Sequence, residues 1–102
     1  MRVLAMVALR DFWQQHPHAE GPLRAWYKVL SLSAPQNFAE LKALFGTVDY
    51  LRDQQDTVGW HIFDVGGNNY RVICKLDYAH QYALIKAVFN HAAYDRWTAA
   101  NR

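Results

Sequence analysis

Apolar residues recur with two different periods along this 102-residue chain. In the first part they fall at helical spacing. Leu9, Phe12 and Trp13 lie on one stripe over residues 8–16, and Pro17 ends that run because it pushes His16 out of the α region. Residues 19–32 carry the longest helical pattern, with Leu23, Trp26, Tyr27 and Leu30 at i, i+3, i+4 and i+7. Pro22 suits its first turn, where the missing N–H has no helical partner to lose. Residues 31–37 read as a linker. Asn37 then reads as the N-cap of a third helix over 38–45, with Glu40 three residues on in capping-box position and Gly46 closing the element. Residues 1–5 suit a short first strand.

From about residue 47 the period changes to alternation. Residues 47–51 suit a strand, 52–56 a polar turn, and 57–65 a second strand running into Gly66-Gly67-Asn68-Asn69. That run is turn chemistry, because glycine and asparagine tolerate positive φ at little cost. Beyond it Tyr70, Val72, Cys74 and Leu76 point one way, and Arg71, Ile73, Lys75 and Asp77 the other. Residues 77–81 read as a reversal, 82–89 as an apolar strand with Lys86 inside it, and Tyr94, Trp97 and Thr98 as a terminal helical piece starting at His91. Helices segregated from a meander of strands predict an α+β fold: N-terminal helices on one face of a mainly antiparallel sheet, then a short C-terminal helix. The length suits one domain over 1–102. The pattern leaves the strand order open.

Composition narrows the class. An apolar content of 52% with 15% aromatics argues against disorder. Cys74 is alone, so neither an intramolecular disulfide nor a cysteine-rich zinc site can form, which fits a reducing compartment. The apolar stretch near Met1 is too short, and meets a charge too early, for a signal peptide or a membrane span. A cytoplasmic protein without a membrane partner is therefore expected. Net charge is only +2, but from residue 66 onward Arg71, Lys75, Lys86, Arg96 and Arg102 face only Asp77 and Asp95. The excess of positive charge lies in the strand-rich half.

Three stretches resemble the HigB family of type II toxins. They are His16-Pro17-x-Ala19-Glu20-x-Pro22-Leu23-Arg24-Ala25-Trp26-Tyr27, Phe63-x-Val65-x-Gly67-Asn68-x-Tyr70-Arg71-Val72-Ile73, and His91-Ala92-x-Tyr94-Asp95. The resemblance implies a compact RelE-like α+β domain that cleaves mRNA, usually on the translating ribosome, and is neutralised by a helix-turn-helix antitoxin of the HigA type. The chain departs from the family pattern in having Asn69 where a lysine is expected and Asn90 where a threonine is expected. Its 50–60 loop is also longer and more acidic.

Metal-free RNA cleavage needs a group to take the 2′-OH proton, a charge to stabilise the crowded phosphate, and a group to protonate the leaving 5′-oxygen. Arginine suits the second task, because its planar fork can grip two phosphate oxygens. Arg71 is the candidate, against the plain alternative of a solvated cation on a half-exposed strand. His91 is the candidate acid/base, because histidine titrates near neutral pH unaided; the alternative is a capping or packed histidine. Tyr94 shares its face three residues on, where it orients the 2′-OH, stacks on a base, or simply fills the core. Asn68, Asn69, Lys75 and Lys86 are the candidate RNA contacts. Turn geometry is the first account of the asparagines, with RNA contact secondary, and surface solvation accounts equally well for Lys75. His16, His18 and Glu20 surround a helix-breaking proline without further ligands, so no metal site and no cofactor is expected. On this reading Arg71→Ala removes activity and leaves stability nearly untouched. The rival reading is an inactive module that keeps the fold and binds RNA or its antitoxin.

Overall fold

The computed structural model describes residues 1–101. The order of elements is β1 (Arg2–Leu4), α1 (Val7–Gln15), a 3₁₀ turn (Pro17–Ala19), α2 (Glu20–Ser31), α3 (Phe38–Leu44), β2 (Asp49–Leu51), β3 (Trp60–Val65), β4 (Tyr70–Asp77), β5 (Tyr82–Asn90) and α4 (His91–Asn101). The expected α+β architecture is what forms. The punctuation works largely as its chemistry dictates. His16 takes an extended-side conformation before Pro17 (φ −132°, ψ 78°), and the Asn37 side chain accepts from the Glu40 N–H at 2.9 Å. The return bond of the capping box differs from expectation, since Glu40 Oε1 accepts from the N–H of Gln36, one residue earlier than Asn37. Nor does Gly46 supply a left-handed cap. Phe45 ends α3 at φ −126°, and the two glycines with positive φ are Gly66 and Gly67.

The five strands form one sheet in the order β1-β5-β4-β3-β2. The consecutive pairs β2/β3, β3/β4 and β4/β5 are antiparallel. β1 lies parallel to β5 at the far edge, so the helices must cross over between β1 and the rest. That non-local pairing has no signature in local periodicity. Gly66 (φ 66°), Gly67 (φ 61°) and Asn68 (φ 80°) supply the tight β3–β4 turn. It closes between Val65 and Tyr70, which sets Asp64 opposite Arg71 and Ile62 opposite Ile73. Between Ile73 and Cys74 the β4/β5 register shifts by one residue: Ile73 faces Ala87 and Cys74 faces Ile85, leaving Lys86 as the extra residue of a bulge.

The two faces of this sheet differ in kind. One carries Phe63 and Val65, then Val72, Cys74 and Leu76, then Ala83 and Ile85, packed against Leu9 of α1, Leu23, Trp26 and Leu30 of α2, and Leu41 of α3. Phe63 sits at its centre, with the rings of Trp26 and Phe45 edge-on at 5.2 and 5.1 Å. Replacing so enclosed a ring with alanine typically costs about 3–5 kcal/mol. The other face carries Trp60, Ile62, Asp64, Arg71, Ile73 and Lys75, and α4 folds back over part of it. Trp97 of α4 meets Trp60 of β3 edge-on at 5.4 Å and Phe89 of β5 at 6.1 Å. The C-terminal helix is thus the lid of a second, smaller packing layer.

Candidate active site

Arg71 stands at the end of β4 beside the glycine turn, and it is not a solvated cation. It is only 6% exposed. Its Nε lies 2.8 Å from Asp64 Oδ1 on the neighbouring strand. One terminal nitrogen donates to the carbonyls of Asn68 (3.0 Å) and Tyr70 (3.1 Å), and the other to Asn68 Oδ1 at 2.6 Å. Four of the five guanidinium N–H groups are thereby engaged. The Tyr94 ring completes the enclosure, its centroid 5.0 Å from the guanidinium carbon. This overturns the expectation that Arg71→Ala leaves stability alone. Deleting one partner of an enclosed ion pair strands the other, at a cost on the order of 3 kcal/mol.

The bond to Asn68 also gives the turn a second purpose. Its positive φ presents both the carbonyl and the side-chain oxygen to the arginine. Asn69 is exposed in the same turn, its N–H donating to the Gly66 carbonyl at 3.3 Å.

α4 begins where β5 ends, and Asn90 joins them. Asn90 pairs with Tyr70 across the sheet, and its Oδ1 accepts from the N–H of Ala93 at 2.8 Å. That is the bond an N-cap residue makes, so asparagine here does the structural task of a threonine. His91, 60% exposed, opens the helix, and its Nε2 lies 3.6 Å from Asp95 Oδ2. That separation is too long for a hydrogen bond. Tyr94, one turn on, is held between Arg71 and the Trp97 ring, stacked at 6.2 Å. The structure therefore brings Arg71 and Tyr94 into contact, and sets His91 at the start of the same helix, one residue past the Tyr70–Asn90 pair.

Lys75 belongs to the same face but to a different neighbourhood. Its ammonium lies 2.8 Å from Asp53 Oδ2 and 3.3 Å from Asp56 Oδ2, donates to the Val58 carbonyl, and sits 4.0 Å from the centre of the Trp60 ring. The hydrogen bond from Lys75 holds the Asp53 carboxyl below its ordinary range. For Asp56 the Val58 N–H does most of this, with Lys75 second. Lys86, exposed on the bulge, lines with Lys75 a cleft of about 680 Å³ floored by Trp60, Tyr82 and Leu84. Among the described residues no three His, Cys, Asp or Glu side chains converge in a way that could hold a metal ion.

The sequence reading missed Asp64, Asp53 and Asp56 as partners. Asp64 was recoverable: once the turn is closed between Val65 and Tyr70, the next pair outward is Asp64 and Arg71. The loop carboxylates leave no such trace, because nothing in their spacing says which strand they fold onto.

Residues 19–97 match the model of the HigB toxin family, described as the RelE-like toxic component of a toxin-antitoxin system. The chain belongs to that family. It is also 28% identical to the mRNA interferase toxin HigB of Escherichia coli strain K12, over 100% of this chain and 95% of that one. Against the mRNA interferase HigB of Escherichia coli O6:H1 strain CFT073 the identity is 26%, over 96% and 92% of the two chains. The HigB-family match takes in every residue of the Arg71–Asp64–Asn68–Tyr94 cluster and His91.

Proposed function

We propose that this HigB-family chain is a single-domain mRNA endoribonuclease that needs no metal ion and works on the ribosome. In this reading it acts in the cytoplasm and is neutralised by a helix-turn-helix antitoxin of the HigA type. The observation that carries the reading is the contact between the Arg71 guanidinium and the Tyr94 ring, on a sheet face bounded by the exposed His91. It puts a permanent positive charge against a ring, and the imidazole of His91 opens the helix that carries that ring. The curated relatives, both named mRNA interferases, support it.

The reaction follows from these groups. A base removes the proton of a 2′-OH, the 2′-oxygen bonds to phosphorus, and the P–O5′ bond breaks, giving a 2′,3′-cyclic phosphate and a 5′-hydroxyl. His91 moves protons between these oxygens, since it is exposed and opens the helix that carries Tyr94. Arg71 stabilises the charge that grows on the phosphate oxygens. To grip two of them it must release Asn68, whose two bonds to the guanidinium occupy both of its terminal nitrogens. Asp64 keeps the Nε and so holds the fork in place during that exchange. Tyr94 stacks on a base or orients the 2′-OH, and Asn69, Lys75 and Lys86 contact the flanking RNA.

The internally closed fork of Arg71 also favours a second reading: an inactive module that binds antitoxin or RNA without cutting. One experiment separates them. Expression without a partner should arrest growth and deplete mRNA, with 2′,3′-cyclic or 3′-phosphate ends that form equally in excess EDTA once the ribosome's own magnesium need is met. Normal growth at confirmed expression supports the inactive module. 3′-Hydroxyl ends would instead indicate a metal-activated water.

A further inference from the structure

The 52–59 loop does more than connect β2 to β3. It reaches back to β4 and wraps three oxygens around one ammonium, Asp53 Oδ2, Asp56 Oδ2 and the Val58 carbonyl, leaving the Lys75 side chain 13% exposed. The loop also braces itself. Asp53 Oδ1 accepts from the Gln55 N–H at 3.0 Å, and Asp56 Oδ1 from the Val58 N–H at 3.3 Å. Each carboxylate thus has one oxygen on its own loop and the other on Lys75. The position so occupied is on the wall of the 680 Å³ cleft, with the Trp60 ring against the ammonium and Lys86 also on the lining. Lys86 has no carboxylate partner among the described residues. A cluster of oxygens with spread negative charge, placed over a lysine on an aromatic ring in an open cleft, has the chemistry of a bound phosphate with its base.

We propose that Lys75 is a phosphate seat held closed by its own chain, with Asp53 and Asp56 standing in for the phosphate of a nucleotide flanking the cleaved bond. A polyanion entering the cleft displaces the two carboxylates, and the 52–59 loop swings away from β4. Asp56 is half exposed, so its pair with Lys75 is weak and easily exchanged, and the more covered Asp53 rides on the same loop. A loop held this way moves readily; the strand-borne Asp64 beside Arg71 does not. The seat's RNA ligand rests on the ribonuclease reading, but the displacement itself does not.

The test therefore has two arms. In the first, sodium pyrophosphate is added to the folded protein and amide exchange of Gln55, Asp56 and Val58 is followed by NMR. Exchange should quicken in the wild type, and should already be fast and insensitive to pyrophosphate in Lys75→Met, which keeps the apolar stem on Trp60. No change in the wild type, or the same change in Lys75→Met, overturns the proposal. The second arm measures binding of a labelled single-stranded RNA. Asp53→Asn/Asp56→Asn should bind roughly fivefold tighter, the worth of one freed surface charge. The gain should vanish when Lys75→Met is added, and should exceed that of Asp11→Asn/Glu20→Gln, which changes net charge equally on the helical side. An equal gain in that control pair, or one that survives Lys75→Met, also overturns it. If no variant binds RNA, the seat does not take free RNA, the ribonuclease reading is left to the expression experiment above, and the pyrophosphate arm alone decides the loop.

Discussion

Arg71 and Lys75 sit four residues apart on one face of one strand, and each is neutralised by carboxylate, yet the two ends of β4 are built differently. At the Arg71 end the acid is Asp64, fixed directly opposite by sheet register, and the cation is enclosed by backbone carbonyls and a tyrosine ring. At the Lys75 end the acids come from a loop that must fold back to reach it. The same alternation of residues thus produces one preorganised charge and one exchangeable charge. A charge whose position is fixed during folding is what a group stabilising a transition state needs. In the proposed reaction Asp64 fixes that position while the bonds to Asn68 are exchanged for phosphate oxygens. An exchangeable pair suits recognition of a substrate that must arrive and leave.

The largest expected effect tests the rigid end. Arg71→Ala should lower stability by on the order of 3 kcal/mol, enough to drop the thermal midpoint by more than about 10 °C in a domain this size. Activity loss in that variant is therefore ambiguous. Arg71→Lys, which keeps the charge and loses the fork, isolates the catalytic part. A melting curve for Arg71→Ala that overlays the wild type would break the comparison.

A similar effect is expected from acid, on the reverse side of the sheet. His61 faces Cys74 in the register and is buried among Phe38, Tyr50 and Tyr78, its Nε2 2.8 Å from the Tyr78 hydroxyl. Burial, with the Lys75 charge adding to it, lowers its pKa from 6.5 to about 4. The folded state thus keeps His61 neutral where the unfolded chain protonates it. Stability is full above pH 6.5 and falls as pH drops from there toward 4, by roughly 3 kcal/mol in total. Urea melts at pH 7 and pH 5 should differ accordingly, and His61→Gln should flatten the difference. An unchanged slope in His61→Gln would assign the acid sensitivity to other groups.

Smaller effects separate the two carboxylate sets. Asp64→Asn should cost about 1–2 kcal/mol, because a charge-assisted bond to an enclosed guanidinium becomes a neutral one. Asp53→Asn/Asp56→Asn should leave the midpoint nearly unchanged. Equal losses at both ends would mean that the loop is as fixed as the strand.

Much of this fold was legible in the residues because local patterns determine it. The stripe Leu23, Trp26, Tyr27, Leu30 yields α2, the alternation from Tyr70 to Asp77 yields β4, and Gly66-Gly67-Asn68 yields the turn. The parallel docking of β1 against β5 and the reach of α4 across the second face were not, because both depend on contacts between segments far apart in the chain. At the site, the face shared by Arg71 and Lys75 followed from period two. Their burial did not, since alternation assigns a side without saying what covers it. Asn90 shows the converse: a threonine was expected there, and the asparagine caps α4 with its side-chain oxygen.

The most direct test of the proposed chemistry is the cleavage rate of His91→Ala on ribosome-bound mRNA, taken with its melting curve. His91 is 60% exposed, and its one ion-pair contact among the described residues, Asp95, lies at 3.6 Å, so its removal should leave the fold intact. The account predicts an unchanged midpoint and a rate lower by on the order of 10² to 10⁴. An intact protein that cuts at the wild-type rate would contradict it, and would move proton transfer away from the head of α4.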